Sequence, residues 1–358
     1  MFVNWLKKKV KGPDRDNQNL EKENLVSKHS ITEIVFASHS IMGEGPKKTE
    51  CQDSYIIMDG YKEMYYAFGV FDGHGNSGKE ASNASSDNFQ KFFDKNVKKI
   101  EKLKTKQERE KFILDTYANT EKKLKTSGID YSSSGTCSIF VFIMNGMLTV
   151  SNLGDSRAVL CRVGKEITAI ELSWDQKPTR KDEKQRIMNS GGKIERLNYN
   201  GEWVGPYRVW ADEEGPGIAM TRTLGDFQAK KIGLISRPET DHLVLKRRDK
   251  FIVLASDGIW DVMSSAEVVG FILKHEDSWN NDNKIAEMLC NEARSRWEDS
   301  NSKSSFSNKI GDLPTAKYGI DDITCIVAFL NFDDDKELKD SYYTATTKKE
   351  SQIIKKKG

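Results

Sequence analysis

The stretch Phe68-Gly-Val-Phe-Asp-Gly-His-Gly75 carries the most information about the fold and the chemistry of this chain. Its first half is apolar and has the composition of a strand, whereas its second half is the turn Asp72-Gly73-His74-Gly75. Asp and Gly are common in turns because they tolerate backbone conformations that other residues avoid. The strand thus ends in a carboxylate, a glycine carbonyl that can approach a cation, and an imidazole on consecutive residues.

Other acidic residues occupy similar places. Asp257 follows the apolar run 251–255, Asp321 and Asp322 precede the last apolar run, Asp53 precedes an early one, and Asp155 lies on a turn between two. One Asp-Gly pair alone is ordinary turn chemistry. Together, without a cluster of His or Cys, the acidic sites indicate an all-oxygen site for Mg²⁺ or Mn²⁺. Two divalent ions would balance three carboxylates and a bridging hydroxide, which fits a binuclear site.

Around these turns the pattern alternates between blocks of strands and blocks of helices. Asn145-Gly146 separates two apolar runs and predicts a β-hairpin with a type I′ turn. The predicted strands include 34–36, 54–58, 65–71, 138–144, 147–150, 251–254 and 324–330, and the predicted helices are 81–97, 112–124, 266–274 (with Ser264-Ser265 as its cap signal) and 284–297. This block order favours an α+β fold with antiparallel sheets and helices outside them.

Composition limits the classes of function. The 358 residues contain 56 Lys and Arg against 54 Asp and Glu, so the formal charge of +2 does not favour nucleic acid as a partner. No run approaches the ~18 consecutive apolar residues of a membrane span. The five cysteines are scattered and never form a Cys-x-x-Cys pair, which predicts a reducing compartment without disulfides or zinc. We therefore expect a cytoplasmic protein, and a monomer.

The two ends of the chain differ from its middle. Residues 1–30 and 333–358 are polar and lysine-rich, and we expect tails that do not fold by themselves. Residues 31–332 are expected to form one domain. Two alternatives to a plain solubilising role stay open for the tails: peripheral contact with an anionic membrane through the N-terminus, and a nuclear address in the basic C-terminus.

The motifs, taken together and in order, resemble the type-2C metal-dependent serine/threonine protein phosphatases, the PPM family. The matching stretches cover roughly residues 31–330 and are ECQDSY, FGVFDGHG, SSSGTCSIFVF, SNLGDSRAVLC, the QKPTRKDE to RIMNSGGKI segment, GPGIAMTRTLGD, LASDGIWDVMSSAEVV and GIDDITCIVAFL. The resemblance implies a four-layer αββα sandwich, in which two central antiparallel sheets are flanked by helices and metals bind at one end. It implies phosphoprotein substrates as well.

The same resemblance implies roles for individual residues. Asp72 would bridge two metals, and the Gly73 carbonyl would bind one of them. Asp257 and Asp321 would hold the other, and Asp53 would act through metal-bound waters. A hydroxide activated by the metals would attack phosphorus directly, without a covalent intermediate.

Three further residues would complete the site. Asp155 and Asp261 match positions that bind a weaker third metal in some members, and His74 matches the general acid, a role that suits a side chain with a pKa near neutrality.

Three positions depart from the family pattern. Lys48 stands where an arginine usually binds the substrate phosphate, Gln52 where glutamate is usual, and Asp322 where asparagine is common. Lysine keeps the charge but lacks the bidentate fork of arginine. We expect an active enzyme, because the predicted metal ligands Asp72, Asp257 and Asp321 are intact. The predicted general acid His74 is intact as well. Two alternatives stay open: a pseudophosphatase that only binds phosphoproteins, and a hydrolase of small phosphoesters on the same fold.

Overall fold

The computed structural model describes residues 31–45, 48–59, 64–199, 201–210, 217–279, 283–304 and 319–332. The predictions for residues 1–30 and 333–358, including the membrane contact and the nuclear address, lie outside these residues. Within the described part of the chain, no helix is long and apolar enough to cross a membrane.

Two five-stranded antiparallel sheets form the centre of the protein. In sheet order, the first contains β1 (Ile31–Ile41), β15 (Ile323–Phe332), β14 (Asp249–Ala255), β8 (Arg157–Val163) and β9 (Ile167–Glu171). The second contains β13 (Glu239–Val244), β7 (Met147–Leu153), β6 (Ser138–Met144), β3 (Tyr66–Phe71) and β2 (Ser54–Met58). Neighbouring strands within both sheets run antiparallel, as the sequence predicted.

Helices cover the outer face of each sheet. The helices of the described chain are α1 (Gly78–Lys95), α2 (Val97–Ile100), α3 (Lys106–Lys125), α4 (Lys181–Asn189), α5 (Asp257–Trp260), α6 (Ser265–Lys274) and α7 (Lys284–Ser304). Helices α1 and α3 pack on the second sheet through an aromatic-rich core, and α6 and α7 pack on the first. A third apolar core lies between the sheets. The arrangement is the four-layer α+β sandwich that the resemblance implied.

Local sequence explains the most regular of these elements. The hairpin β6–β7 turns at Asn145 and Gly146, which have φ values of 54° and 68° as a type I′ turn requires. Every residue of both strands is buried, because helices cover one face and the first sheet covers the other. Helix α6 begins at the predicted cap, where Ser264 and Glu267 form a capping box.

Some boundaries differ from the prediction for a tertiary reason. Strand β1 has 11 residues where the apolar pattern indicated three, because it pairs with β15 along nearly its whole length. Helix α7 continues to Ser304. The small sheets have no pattern of their own: β10 (Lys193–Tyr199) pairs with β11 (Glu202–Trp210), and the two-residue strands β12 (Leu224–Gly225), β5 (Gly135–Thr136) and β4 (Gly73–His74) form a three-stranded sheet.

Candidate active site

Asp72 lies between β3 and β4, where packing fixes the backbone on both sides. Its carbonyl oxygen accepts hydrogen bonds from the Cys137 N–H at 2.8 Å and the Thr136 hydroxyl at 3.0 Å. A Cβ atom on the next residue, Gly73, would lie 2.2 Å from the carbonyl oxygen of Gly78, far inside van der Waals contact. The Asp-Gly sequence at this turn therefore serves packing as well as chemistry.

Asp257 is the first residue of α5, directly after β14 and Ser256. A Cβ atom on the following Gly258 would lie 2.0 Å from the carbonyl oxygen of Asp322, so the loop before β15 packs against this turn. The indole N–H of Trp297 donates to the Gly258 carbonyl at 2.8 Å. Strand β14, helix α7 and the loop before β15 thus jointly place the Asp257 carboxylate.

Asp155 lies on the turn between β7 and β8, as predicted, and its carboxylate is buried. The preceding Gly154 has a φ of 108°, a conformation that favours glycine, and its N–H donates to the Gln176 side-chain carbonyl at 2.7 Å. The Cys137 thiol donates to Asp155 at 3.4 Å. The turn therefore directs the carboxylate inward.

The carboxylates of Asp72, Asp155 and Asp257 converge, with their nearest oxygens all within 4.8 Å of one another. Two full negative charges at that distance repel each other by about 3.5 kcal/mol at an effective dielectric constant of about 20. Burial, followed by the charge of Asp257, raises the pKa of Asp72 well above its ordinary value. Burial and the charges of Asp321 and Asp155 do the same to the pKa of Asp257. A cation between these carboxylates would relieve their repulsion, and oxygen ligands of this kind are the ones that Mg²⁺ and Mn²⁺ prefer.

A second acidic cluster offers an internal comparison. It comprises Asp182, Glu183 and Glu239. Arginines already neutralise it: Arg222 and Arg186 each place a guanidinium nitrogen 2.6 Å from Glu183, and Arg180 lies 2.5 Å from Glu239. Hydrogen bonds from these arginines outweigh the effect of burial and lower the pKa of Glu183. This cluster carries its own counterions, whereas the salt bridge among the described residues to the cluster at Asp72 is that of Lys177 with Asp155, at 3.8 Å.

Asp53 adds a fourth carboxylate beside the three. It is buried, and its Oδ2 atom accepts a hydrogen bond from the Ser256 hydroxyl at 2.9 Å. Its Oδ1 atom has no hydrogen-bond partner among the described residues. Burial, together with the charges of Asp322 and Asp321, raises the pKa of Asp53 to about 7. An unpartnered buried carboxylate oxygen at this place fits a residue that acts on metal-bound water.

Lys48, predicted to bind phosphate, is held by two carboxylates. Its ammonium lies 3.0 Å from Asp322 and 3.3 Å from Asp321. Burial lowers the pKa of Lys48, but these two charges outweigh it, so the pKa is raised. The Asp322 side chain is 4% exposed and also accepts the Gly43 N–H and the Gln52 N–H at 2.8 Å each, whereas that of Asp321 is 51% exposed. Asp322 therefore anchors this loop, and Asp321 faces solvent.

Gln52 takes part in the same local network. Its side-chain amide donates to the Gly75 carbonyl at 2.8 Å, which links the segment before β2 to the turn that holds Asp72. In this arrangement the amide stabilises the backbone of the turn 72–75.

Lys177 is a cation that the sequence interpretation did not assign to the site. Its ammonium lies 3.2 Å from Asp261 and 3.8 Å from Asp155, the pair predicted for a weaker third metal. Burial lowers the pKa of Lys177, but Asp155 and Asp261 outweigh it and raise the pKa. No local pattern around Lys177 indicated this contact, because Asp261 is 84 residues away in the sequence.

His74 has an equally remote partner. Its Nε2 atom lies 2.7 Å from the Oδ2 atom of Asp226, a buried carboxylate 152 residues later in the chain. Burial alone would lower the pKa of His74, but the charge and hydrogen bond of Asp226 outweigh it and raise the pKa. The charge of Asp155 acts in the same direction, which places His74 within the field of the acidic cluster.

The structure brings some of the predicted metal ligands into one cluster and places the others around it. Asp72, Asp155 and Asp257 share one cluster. Asp53 and Asp321 lie outside that tight group, but their charges raise the pKa of Asp72. Asp261 also lies outside that group, but Lys177 contacts both Asp261 and Asp155, the pair predicted for a third metal.

Comparison with known proteins identifies the family. A sequence model described as "Protein phosphatase 2C" matches residues 47–302, more than half of the chain. The chain belongs to the protein phosphatase 2C family, which confirms the resemblance seen in its sequence motifs and supports protein dephosphorylation as its activity.

Individual relatives agree with this assignment. "Probable protein phosphatase 2C 35" of Arabidopsis thaliana is 33% identical over 263 residues, covering 68% of this chain and 73% of the relative. "Probable protein phosphatase 2C 73" of Oryza sativa subsp. japonica is 34% identical over 283 residues, covering 70% of this chain and 64% of the relative. The crystal structure of a serine-threonine phosphatase 2C from Toxoplasma gondii matches with a TM-score of 0.67 and 22% identity, over 86% of this chain and 98% of that one, which shows a shared fold.

Proposed function

We propose that this chain hydrolyses phosphoserine and phosphothreonine in proteins with the help of divalent metal ions, Mg²⁺ or Mn²⁺, and that residues 31–332 form the catalytic unit. The observation that carries the proposal is the convergence of the Asp72, Asp155 and Asp257 carboxylates within the electrostatic reach of His74. Carboxylates that raise one another's pKa in this way are stabilised when cations bind between them.

We infer the residues that would hold two metal ions from this cluster together with the family resemblance. Asp72 and Asp257 are proposed as ligands, with the Gly73 carbonyl and Asp321, and Asp53 would orient water through its unpartnered oxygen. Bound ions would supply a nucleophilic water at neutral pH and compensate charge on the phosphoryl oxygens. The Asp155 carboxylate belongs to the same cluster as those of Asp72 and Asp257, so it would contribute at the same centre, whether or not a third ion binds with Asp261.

Lys48 would bind the substrate phosphate from its place between Asp321 and Asp322. An ammonium has three N–H donors, and the two carboxylates engage two of them. The third donor can reach a phosphate oxygen, as a single hydrogen bond and without the fork of an arginine. We infer weaker positioning of the phosphate than an arginine would give, with the charge retained.

His74 would protonate the leaving oxygen of the seryl or threonyl group. As the bond between phosphorus and that oxygen breaks, the oxygen takes a proton from the imidazolium and leaves as a neutral alcohol. Water attacks phosphorus directly in this scheme, so no bond forms between the phosphoryl group and the protein. The imidazole regains a proton before the next turnover, which balances the proton that the attacking water releases.

A second candidate, a binding protein without turnover, rests on the same contacts. The Gln52 side-chain amide donates its hydrogen bond to the Gly75 carbonyl, and the Lys48 ammonium is paired with carboxylates. In this alternative the site would bind metal and phosphoprotein, but the phosphate would not be placed for attack.

The test compares two substrates and two variants. Hydrolysis of an aryl phosphate and of a phosphothreonine peptide is measured with Mn²⁺, with Mg²⁺ and with a chelator. We expect turnover only when metal is present. Asp257→Asn should reduce kcat by at least about a hundredfold, because removing a metal ligand should cost more than the 10- to 100-fold that follows the loss of a residue supporting a ligand. Asp182→Asn, an exposed carboxylate of the arginine-neutralised cluster, is the matched control and should keep full activity.

The outcomes separate the candidates. Equal turnover in chelator would overturn the metal requirement. Calorimetric metal binding that is lost in Asp257→Asn, without turnover of either substrate by the unmodified protein, would favour the binding protein. Faster hydrolysis of a sugar phosphate than of the phosphopeptide would favour a small-molecule hydrolase.

A further inference from the structure

The small three-stranded sheet formed by β12, β5 and β4 places Asp226 beside His74. Strand β5 lies in the middle, and its residue Gly135 pairs with His74 of β4 on one side and with Gly225 of β12 on the other. Asp226 directly follows β12, and its N–H donates to the Ser134 carbonyl at 2.9 Å. The pairing carries the Asp226 carboxylate across β5 to the imidazole.

The backbone around the contact accommodates only small residues. A Cβ atom on Gly135 would lie 2.3 Å from the Oδ2 atom of Asp226, the same atom that contacts His74. Gly225 has a φ of 85° and Asp226 has a φ of 48°, left-handed conformations that glycine adopts readily and aspartate adopts more readily than most residues with a side chain. The backbone at this turn therefore favours a glycine followed by aspartate or asparagine.

The charge of Asp226 is compensated inside the protein. Asp226 is completely buried, and the charges of His74 and of the half-buried Lys230 act on it. Lys230 in turn lies 3.6 Å from Glu121 and donates to the Thr223 carbonyl at 2.5 Å. A buried carboxylate held this way is ionised, so it can only accept the hydrogen bond from His74.

Because Asp226 accepts the hydrogen bond, it determines which nitrogen of His74 remains free to bond to a substrate. The Nε2 atom must carry a hydrogen in order to bond to Asp226 at 2.7 Å. The other ring nitrogen, Nδ1, is shielded from solvent and has no hydrogen-bond partner among the described residues. A buried ring nitrogen without a partner is unfavourable in the free protein, and a substrate oxygen would satisfy it.

We propose that Asp226 is a positioning residue for His74: it fixes the imidazole with Nε2–H directed at its own carboxylate and leaves Nδ1 as the nitrogen that passes a proton to the leaving oxygen. This inference rests on the proposed phosphatase function. The Nδ1–H bond breaks as the alcohol O–H bond forms, and the ring remains as the neutral tautomer with its hydrogen on Nε2. Asp226 stays ionised throughout.

Asp226→Asn tests the proposal, because asparagine has nearly the same shape and tolerates the left-handed backbone. We expect the phosphothreonine peptide, whose leaving oxygen needs a proton, to lose about 10²- to 10³-fold in kcat. The aryl phosphate, with a better leaving group, should lose less than about threefold. His74→Ala should discriminate between the substrates in the same way, and the double variant should be no slower than His74→Ala alone.

A measurement without turnover completes the test. In protein labelled with ¹⁵N-histidine, the ring nitrogens of His74, assigned by their absence in His74→Ala, should show the Nε2–H tautomer when neutral and a mixture of tautomers in Asp226→Asn. Calorimetric affinity for Mn²⁺ should be the same in both proteins, since Asp226 is not among the proposed metal ligands.

Other results would overturn the proposal. Equal losses on both substrates, additive losses in the double variant, or an unchanged tautomer in Asp226→Asn would each show that Asp226 only supports the fold. An unmodified protein that turns over neither substrate would instead refute the proposed function, while the tautomer measurement would still report on the contact itself.

Discussion

In the presence of a chelator, the free energy of unfolding should show a pH dependence that originates at Asp53. Burial and the charges of Asp322 and Asp321 raise the pKa of Asp53 from an ordinary 3.8 to about 7. An acid with a higher pKa in the folded state binds more protons there, so the free energy of unfolding falls as the pH rises between the two pKa values. The difference corresponds to about 4 kcal/mol in all, of which about 2.5 kcal/mol falls between pH 5 and pH 8.

The assay is urea denaturation in chelator at pH 5 and pH 8, for the unmodified protein and for Asp53→Asn. Other groups also titrate in this range. Burial, with the charges of Lys106 and Arg109, lowers the pKa of His242 to about 4, so that residue destabilises the fold on acidification below its ordinary pKa of 6.5. This contribution is present in both proteins and cancels in their difference. Relative to the unmodified protein, Asp53→Asn should therefore gain about 2.5 kcal/mol between pH 5 and pH 8.

Saturating Mg²⁺ provides the second arm of this experiment. Metal ions hold nearby carboxylates in the ionised form, so the relative gain of Asp53→Asn should shrink to below about 1 kcal/mol. A difference of the opposite sign in chelator would refute the argument that Asp53 is buried among uncompensated charges. A difference that Mg²⁺ does not change would show that the ions bind elsewhere.

Two further predictions concern the loops around the cluster. Asp322→Asn should lower the free energy of unfolding, measured by urea denaturation, by about 1–3 kcal/mol. The amide oxygen can accept the hydrogen bond from the N–H of Gly43 or of Gln52, but the amide NH₂ then faces the other N–H. An unchanged denaturation midpoint would contradict the anchoring role of Asp322. Gly258→Ala should lower the free energy of unfolding by about 1–3 kcal/mol, because the new Cβ would lie 2.0 Å from the Asp322 carbonyl oxygen. Gly164→Ala is the control, because the nearest atom to its new Cβ would be 3.6 Å away. Equal melting temperatures of the two variants would refute the close packing at Gly258.

The sequence predicted those parts of the fold that local pattern determines. The β6–β7 hairpin follows from two apolar runs around Asn145-Gly146, and α6 follows from its cap at Ser264. The positions of Asp72 and Asp257 were predictable because each follows a buried strand directly. Strand β1 was underestimated because its length depends on pairing with β15, nearly 300 residues away in the chain.

The remote contacts of the site could not be predicted in this way. His74 and Asp226 are 152 residues apart, and the sheet that joins them consists of two-residue strands without any periodicity. Lys177 reaches Asp261 across 84 residues. Such contacts depend on the relative placement of whole strands, which propensity and periodicity do not specify. The family resemblance supplied the four layers, but it did not indicate the partners of these side chains.

The departures from the family pattern become intelligible when the positions 48, 52 and 322 are considered as one electrostatic unit. The usual arginine, glutamate and asparagine sum to zero charge, and so do Lys48, Gln52 and Asp322. The structure places the three together: the Asp322 carboxylate accepts the Gln52 N–H at 2.8 Å and lies 3.0 Å from the Lys48 ammonium. The negative charge has therefore moved between adjacent positions without leaving the site. Because the sum of charges at these positions is unchanged, the electrostatic attraction for a substrate phosphate is retained, and the departures do not by themselves favour a pseudophosphatase.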